Sequence, residues 1–78
     1  MSDQNPYRMM IRHSIFGLAP GSTYELRFEQ IGDVFPPGMV GQAIHPNALA
    51  DLRAFAEDVG CTVTKDNKLK VFVFRKRN

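Results

Sequence analysis

Pro46-Asn47-Ala48-Leu49-Ala50-Asp51-Leu52-Arg53-Ala54-Phe55-Ala56-Glu57-Asp58-Val59-Gly60 reads as a helix with its stop. Leu49, Leu52, Phe55, Ala56 and Val59 recur at helical spacing and form one apolar stripe. Ala48, Ala50 and Ala54 raise helix propensity. Pro46 suits the first helical position, and Gly60 suits the left-handed residue that ends a helix. Glu57 and Asp58 stand at the unfavourable end of the helix dipole. A hairpin comes next in the chain: Cys61-Thr62-Val63-Thr64, a turn, then Lys68-Leu69-Lys70-Val71-Phe72-Val73-Phe74-Arg75-Lys76-Arg77. A three-residue loop at Lys65-Asp66-Asn67 pairs Val63 with Leu69 and Cys61 with Val71. In that register Cys61, Val63, Leu69, Val71 and Val73 face the core, and Thr62, Thr64, Lys68, Lys70, Phe72 and Phe74 face outward.

Upstream, Tyr24, Leu26 and Phe28 alternate with Thr23, Glu25, Arg27 and Glu29, so Thr23 to Ile31 reads as a half-buried strand. Ala19-Pro20-Gly21-Ser22 precedes it as a turn. Gly32 to Gly38 reads as a loop broken by Pro36-Pro37-Gly38. Met39 to Ile44 reads as a short strand weakened by Gly41. Residues 7–16 fit two patterns. Tyr7, Met9, Ile11, His13 and Ile15 alternate as in a strand, while Tyr7, Ile11, Ile15 and Leu18 share one face of a helix. β-Branched and aromatic content favours strand. Residues 1–6 are polar and expected to be flexible. The fold class that results is α+β: two layers, with one amphipathic helix (about 46–59) on a mainly antiparallel four- to five-stranded sheet.

Length and composition narrow the function. The 78 residues make a single small domain with a thin core. Such domains often gain stability by pairing, so a homo-oligomer or one half of a complex is an open reading. With 44% hydrophobic and 23% charged residues the chain is globular rather than disordered. The single cysteine excludes an internal disulfide and points to a reducing, cytoplasmic setting. No secretory signal and no membrane-length apolar run is visible, the longest being Val71 to Phe74.

Charge is divided unevenly. Up to Thr64 there are four basic and seven acidic residues; from Lys65 onward there are six basic residues and one acid, Asp66. The net +2 is therefore the sum of about −3 and +5. The basic part carries Phe72 and Phe74 on the face that the hairpin register turns outward. Lys68, Lys70, Phe72, Phe74, Arg75, Lys76 and Arg77 form the candidate binding surface. Aromatic anchors with a cationic rim suit an acidic protein partner. They also suit single-stranded nucleic acid, whose bases stack on rings while cations hold the phosphates. The competing structural reading covers the two rings with the N-terminal segment or a second subunit.

No catalytic constellation is visible. His13, His45 and Cys61 are scattered singly, without metal-ligand spacing. Cys61 follows Gly60 at a helix end, where nothing lowers its pKa. Glu25 and Glu29, with Arg27 between them, read as a solvated strand face. Gly38-Met39-Val40-Gly41 lacks the ending of a phosphate loop. No cofactor motif is present. The leading expectation is a small non-enzymatic binding or regulatory protein, of the size common among accessory or inhibitor proteins of phages and mobile elements.

One family resemblance bears on the fold. Leu18-Ala19-Pro20-Gly21, a strand, Ala50-Asp51-Leu52-Arg53-Ala54-Phe55-Ala56 with Gly60, and a hairpin ending in Val73-Phe74-Arg75-Lys76 resemble the back two-thirds of the TusA-like sulfur-carrier family. That resemblance implies a two-layer α/β sandwich and a helix over residues 7–16. The family's Cys-Pro-x-Pro motif at the start of its first helix reads Asn5-Pro6-Tyr7-Arg8 here, and its leading strand is missing. The resemblance thus implies a sulfur-carrier-like domain without the catalytic cysteine.

Overall fold

The computed structural model describes residues 5–77. The chain opens with helix α1, Pro6–Phe16. Its first turn is set by Asn5, whose side-chain Oδ1 accepts from the Tyr7 and Arg8 amides at 2.8 and 3.3 Å, and by Pro6 at the first helical position. Its far end is closed from a distance: the Lys76 ammonium donates to the carbonyls of Phe16 (3.1 Å) and Leu18 (2.8 Å). Residues 7–16 are therefore helix, not strand. Ile11 and Ile15 are buried and Leu18 half-buried, which follows the helical face rather than the alternation. Asn5 and Pro6 cap and start this helix instead of fraying. The rest of the expected flexible N-terminus lies outside the described residues.

Strand β1 covers Thr23–Arg27. Leu26 is buried, Tyr24 half-buried, and Thr23, Glu25 and Arg27 exposed, as the alternation predicts. The strand stops four residues before the expected Ile31. Phe28–Gln30 turn as a short 3-10 segment and lead into α2, Ile31–Val34. Ile31, read as the end of the strand, and Val34 and Phe35, read as loop, then enter the core. Gly38 makes this turn feasible: its φ is +73°, and a Cβ there would lie 2.5 Å from the Gly32 Cα. Met39–Val40 (β2) and Ala43–Ile44 (β3) pair as a two-residue ribbon with Gly41 in the turn.

Helix α3, Pro46–Asp58, matches the sequence reading. Ala48, Leu52, Phe55 and Ala56 are buried, and Gly60 takes φ +74°. His45 caps it, its Nδ1 accepting from the Asn47 amide at 3.1 Å. Strands β4 (Cys61–Asp66) and β5 (Val71–Lys76) complete an antiparallel sheet in the order β1-β5-β4. The fold is α+β, with the five strands divided into a sheet of three and a ribbon of two.

The hairpin register differs from the expected one. Val63 pairs with Phe74, Cys61 with Lys76 and Asp66 with Val71. The connection is Asn67 to Lys70, four residues rather than three. Two local features hold it. Asp66 Oδ1 accepts from the Lys68 and Leu69 amides at 2.9 and 3.0 Å. Lys70 adopts φ +56°, and its carbonyl accepts from the Phe28 amide at 2.9 Å. Side chains alternate with period two, so a register sum that changes from even to odd reverses every side chain of β5. Phe72 and Phe74 point inward, opposite Leu26 and Tyr24 respectively, and Leu69 is left in water.

Both long helices meet this inner face. Ile11, Ile15, Leu52, Phe55, Leu26, Cys61, Phe72 and Phe74 belong to one buried cluster. Phe35 packs on Phe55 with ring centroids 5.6 Å apart, and Phe55 on Phe74 at 6.3 Å. The other sheet face presents Thr23, Glu25, Arg27, Thr62, Thr64 and Arg75 to water. Val71 is buried outside the main cluster.

Candidate functional site

The seven residues of the sequence-predicted surface do not act together. Phe72 and Phe74 are 2% and 0% exposed, so no stacking platform exists on β5. Phe74 packs on Phe55, and Phe72 on Phe28 at 5.3 Å. These rings are the largest apolar groups of the hairpin, and the register that buries them removes the most surface from water. Lys76 is occupied with the end of α1. Arg75 projects from the outer sheet face, and Arg77 follows the strand, its amide donating to the Gly60 carbonyl at 3.0 Å. Lys68 and Lys70 stand at the opposite end of β5. Seven residues at ~3.3 Å each put roughly 20 Å between Lys70 and Arg77. A basic run contiguous in sequence is thus divided between two ends of the sheet.

The titratable groups with chemical potential are also apart. His45 is a helix cap and His13 lies on the exposed side of α1. Cys61 is 2% exposed. Burial pushes its thiol pKa up, with Arg77 and Lys76 pulling weakly the other way. That is the reverse of what a nucleophilic thiol needs. Asn5, where the sulfur-carrier resemblance would require cysteine, spends its side chain on the α1 cap. Among the described residues no group of three His, Cys, Asp or Glu side chains could hold a metal ion, and no helix is long and apolar enough to cross a membrane.

The feature that sequence reasoning missed is the water-facing half of α1. At about 100° per residue, Ile11 and Ile15 point into the core. The opposite half carries Pro6, Met9, Met10, His13 and Phe16, with Tyr7 and Ser14 on its flank, all of them exposed. Tyr7, Met9, Met10 and Phe16 keep 50%, 53%, 65% and 58% of their surface in water. None of these residues carries a carboxylate, ammonium or guanidinium. The two arginines of the helix turn back onto the body of the protein. Arg8 Nε donates to the Val34 carbonyl at 2.8 Å, and its guanidinium lies 4.8 Å from the Phe35 ring centre. Arg12 pairs with Asp58 at 2.8 Å and lies 5.4 Å from the Phe55 ring. A surface helix ordinarily carries charge opposite its buried stripe; this one carries methionines and aromatic rings. Beside Tyr7 and Met10 the face continues into a groove of about 180 Å³ that reaches Tyr24, Leu26 and Val34, with Gln30 and Asp33 at its polar side. Part of the signal was present in the sequence, since residues 7–16 hold no acid and no lysine, but only the structure turns Arg8 and Arg12 away from the outer half.

Comparison with known proteins returned no matching family model, no matching curated protein and no matching solved structure.

Proposed function

We propose that this protein is a non-enzymatic binding protein that works by docking a protein partner on the water-facing half of α1. The observation that carries the reading is the set Met9, Met10 and Phe16, each more than half exposed on the half of α1 opposite Ile11 and Ile15, with the half-exposed Tyr7 on the flank beside Met10. Exposed clusters of this kind serve as contact surfaces, because a partner removes apolar area from water at little desolvation cost. Methionine adds adaptability, since its unbranched chain fills irregular gaps and its sulfur packs well on rings. The groove beside Met10 offers space for one apolar side chain of the partner. The arginines fixed on Val34, Phe35, Asp58 and Phe55 hold the helix in place without charging its outer half.

The nucleic-acid reading has less support, because Phe72 and Phe74 are buried and cannot stack with bases beside the cations of β5. The sulfur-carrier reading has less support too, because its cysteine position is a helix cap and Cys61 is buried.

A photo-cross-linking residue tests the proposal when placed at Met10 on α1 and, as a control, at Asp51 on the charged outer side of α3. Position 10 is expected to give a discrete adduct in native extract that position 51 does not, and Phe16→Ser is expected to abolish it. The adduct's mass distinguishes a foreign partner from a second copy. An equal pattern from both positions would remove α1 as the docking face.

A further inference from the structure

A second feature lies away from α1, at the end of the sheet where the hairpin turns. The Phe28 amide is tied to the Lys70 carbonyl at 2.9 Å, which pins the hairpin tip to the end of β1. The β2–β3 ribbon stands opposite. Between them is a cleft of about 470 Å³ lined by Arg27, Phe28, Met39, Gln42, Leu69 and Lys70 among others. That volume is in the range of sites that hold a ligand or a short peptide side chain with its backbone. The walls are mixed. Phe28, Met39 and Leu69 are apolar, and Leu69 keeps 67% of its surface in water. Arg27 and Lys70 are cationic, Glu29 is acidic, and Gly41, Gln42 and Asn67 are uncharged. Lys68 is adjacent at the tip, and the Lys65 ammonium lies 5.8 Å from the Phe28 ring centre.

Charge at this end is one-sided. Four cations, Arg27, Lys65, Lys68 and Lys70, face two acids, Glu29 and Asp66. Glu29 sits 3.5 Å from Arg27. Asp66 is committed to the turn amides of Lys68 and Leu69. Among the described residues no carboxylate pairs with Lys68 or Lys70.

We infer that this cleft is a binding site for an acidic peptide segment bearing one bulky apolar side chain. The apolar side chain enters between Phe28, Met39 and Leu69, and the flanking carboxylates meet Lys70 and Lys68 at the rim. Complementary charge steers the segment in, and burial of the one side chain retains it. The site is independent of α1, so its failure would leave the α1 reading untouched.

The test is an amide-resolved NMR titration of the full chain with an acetylated, amidated Asp-Asp-Phe-Asp-Asp peptide. Saturable shifts are expected at residues 27–29, 39–42 and 67–71. Two matched peptides, one with every Asp replaced by Asn and one with Phe replaced by Ser, are expected to bind more weakly. Lys70→Asn preserves the left-handed conformation, which Asn tolerates, and should weaken binding about threefold to fivefold, the size expected for one surface charge pair. Leu69→Ser changes an exposed side chain and should weaken it at least as much. No saturable shift at millimolar peptide would overturn the inference. So would equal shifts from all three peptides, or shifts spread equally over Arg75 and Arg77. Stronger binding of a ten-residue oligothymidylate at the same residues would overturn it in favour of nucleic acid.

Discussion

Helices α1 and α3 are built alike on the inside and differently on the outside. Both begin with proline after a residue whose side chain caps the first turn, Asn5 in one and His45 in the other. Both press an apolar stripe onto the same cluster around Phe72 and Phe74. Towards water, α3 shows Asp51, Arg53, Glu57 and Asp58 with the small Ala50 and Ala54 between them. α1 shows Tyr7, Met9, Met10, His13, Ser14 and Phe16. The buried halves do the folding and follow the same rules. The outer half of α3 is what solubility alone requires. The outer half of α1 exceeds that requirement, and the excess is what makes it a candidate for contact.

The strongest way to break the comparison is to remove the floor that both helices share. Phe74→Ala should destabilise the protein by about 3–5 kcal/mol, a large part of the 5–15 kcal/mol typical of a whole domain. Denaturant unfolding followed by circular dichroism should show one transition moved far to lower concentration. Two separate transitions would mean that α1 and α3 are not held by a common core.

A smaller change should separate the helices. Asn5→Ala removes the cap of α1 and should cost about 1 kcal/mol. Lys76→Met releases the Phe16 and Leu18 carbonyls and should cost roughly 0.5–1.5 kcal/mol. In both variants hydrogen exchange is expected to speed up in α1 while the Leu52 and Phe55 amides of α3 stay protected. Equal loss in both helices would show that α1 has no stability of its own to lose.

The outer halves can be exchanged in character. Met9→Lys with Phe16→Lys gives α1 an exterior like that of α3. Stability should change by no more than ~0.5 kcal/mol per site, as for ordinary surface substitutions. Any adduct formed from the α1 face should vanish. A variant that binds as well as the native protein would make the contrast between the two exteriors meaningless.

The smallest effect concerns Cys61, which follows α3 and lies in the core. Its thiol pKa is raised by burial above the unfolded value. The stability it contributes is therefore fully present below the unfolded thiol pKa, about 8.5. It is lost as pH rises from there through the folded value, because the unfolded chain releases the proton first. Thermal unfolding should show the native protein losing stability more steeply above pH 8.5 than Cys61→Ala, with parallel behaviour below. Alkylation of the native thiol should be slow over the lower range. Identical pH profiles for the two proteins would mean that burial does not hold the thiol neutral.

Legibility of the fold tracks contrast between the two sides of each element. In α3 the solvent positions are charged or small, so Leu49, Leu52, Phe55, Ala56 and Val59 stand out at period 3.6. In β1, Thr23, Glu25 and Arg27 set off Tyr24 and Leu26 at period two. In α1 the extra apolar residues Met9 and Met10 blur the period, and Tyr7, Met9, Ile11 and Ile15 imitate a strand. The residues that hid the helix are the same ones that propose its function. The cations of β5 were legible as composition, but their positions in space were not.

The chain's own sequence therefore determined α3 with its proline start and Gly60 stop, the inner face of β1, the presence of a terminal hairpin and the division of charge. Each rests on interactions within a few residues of the positions that show it. Tertiary structure decided between the two readings of residues 7–16, turned Phe72 and Phe74 of β5 inward, and brought Lys76 to close α1. These depend on groups brought together from far apart: the Phe28 amide on Lys70, the Lys76 ammonium on Phe16 and Leu18, and a common core that must take in the largest rings. Period-two alternation fixes which side chains share a face of β5, but only the packed molecule chooses which face is buried.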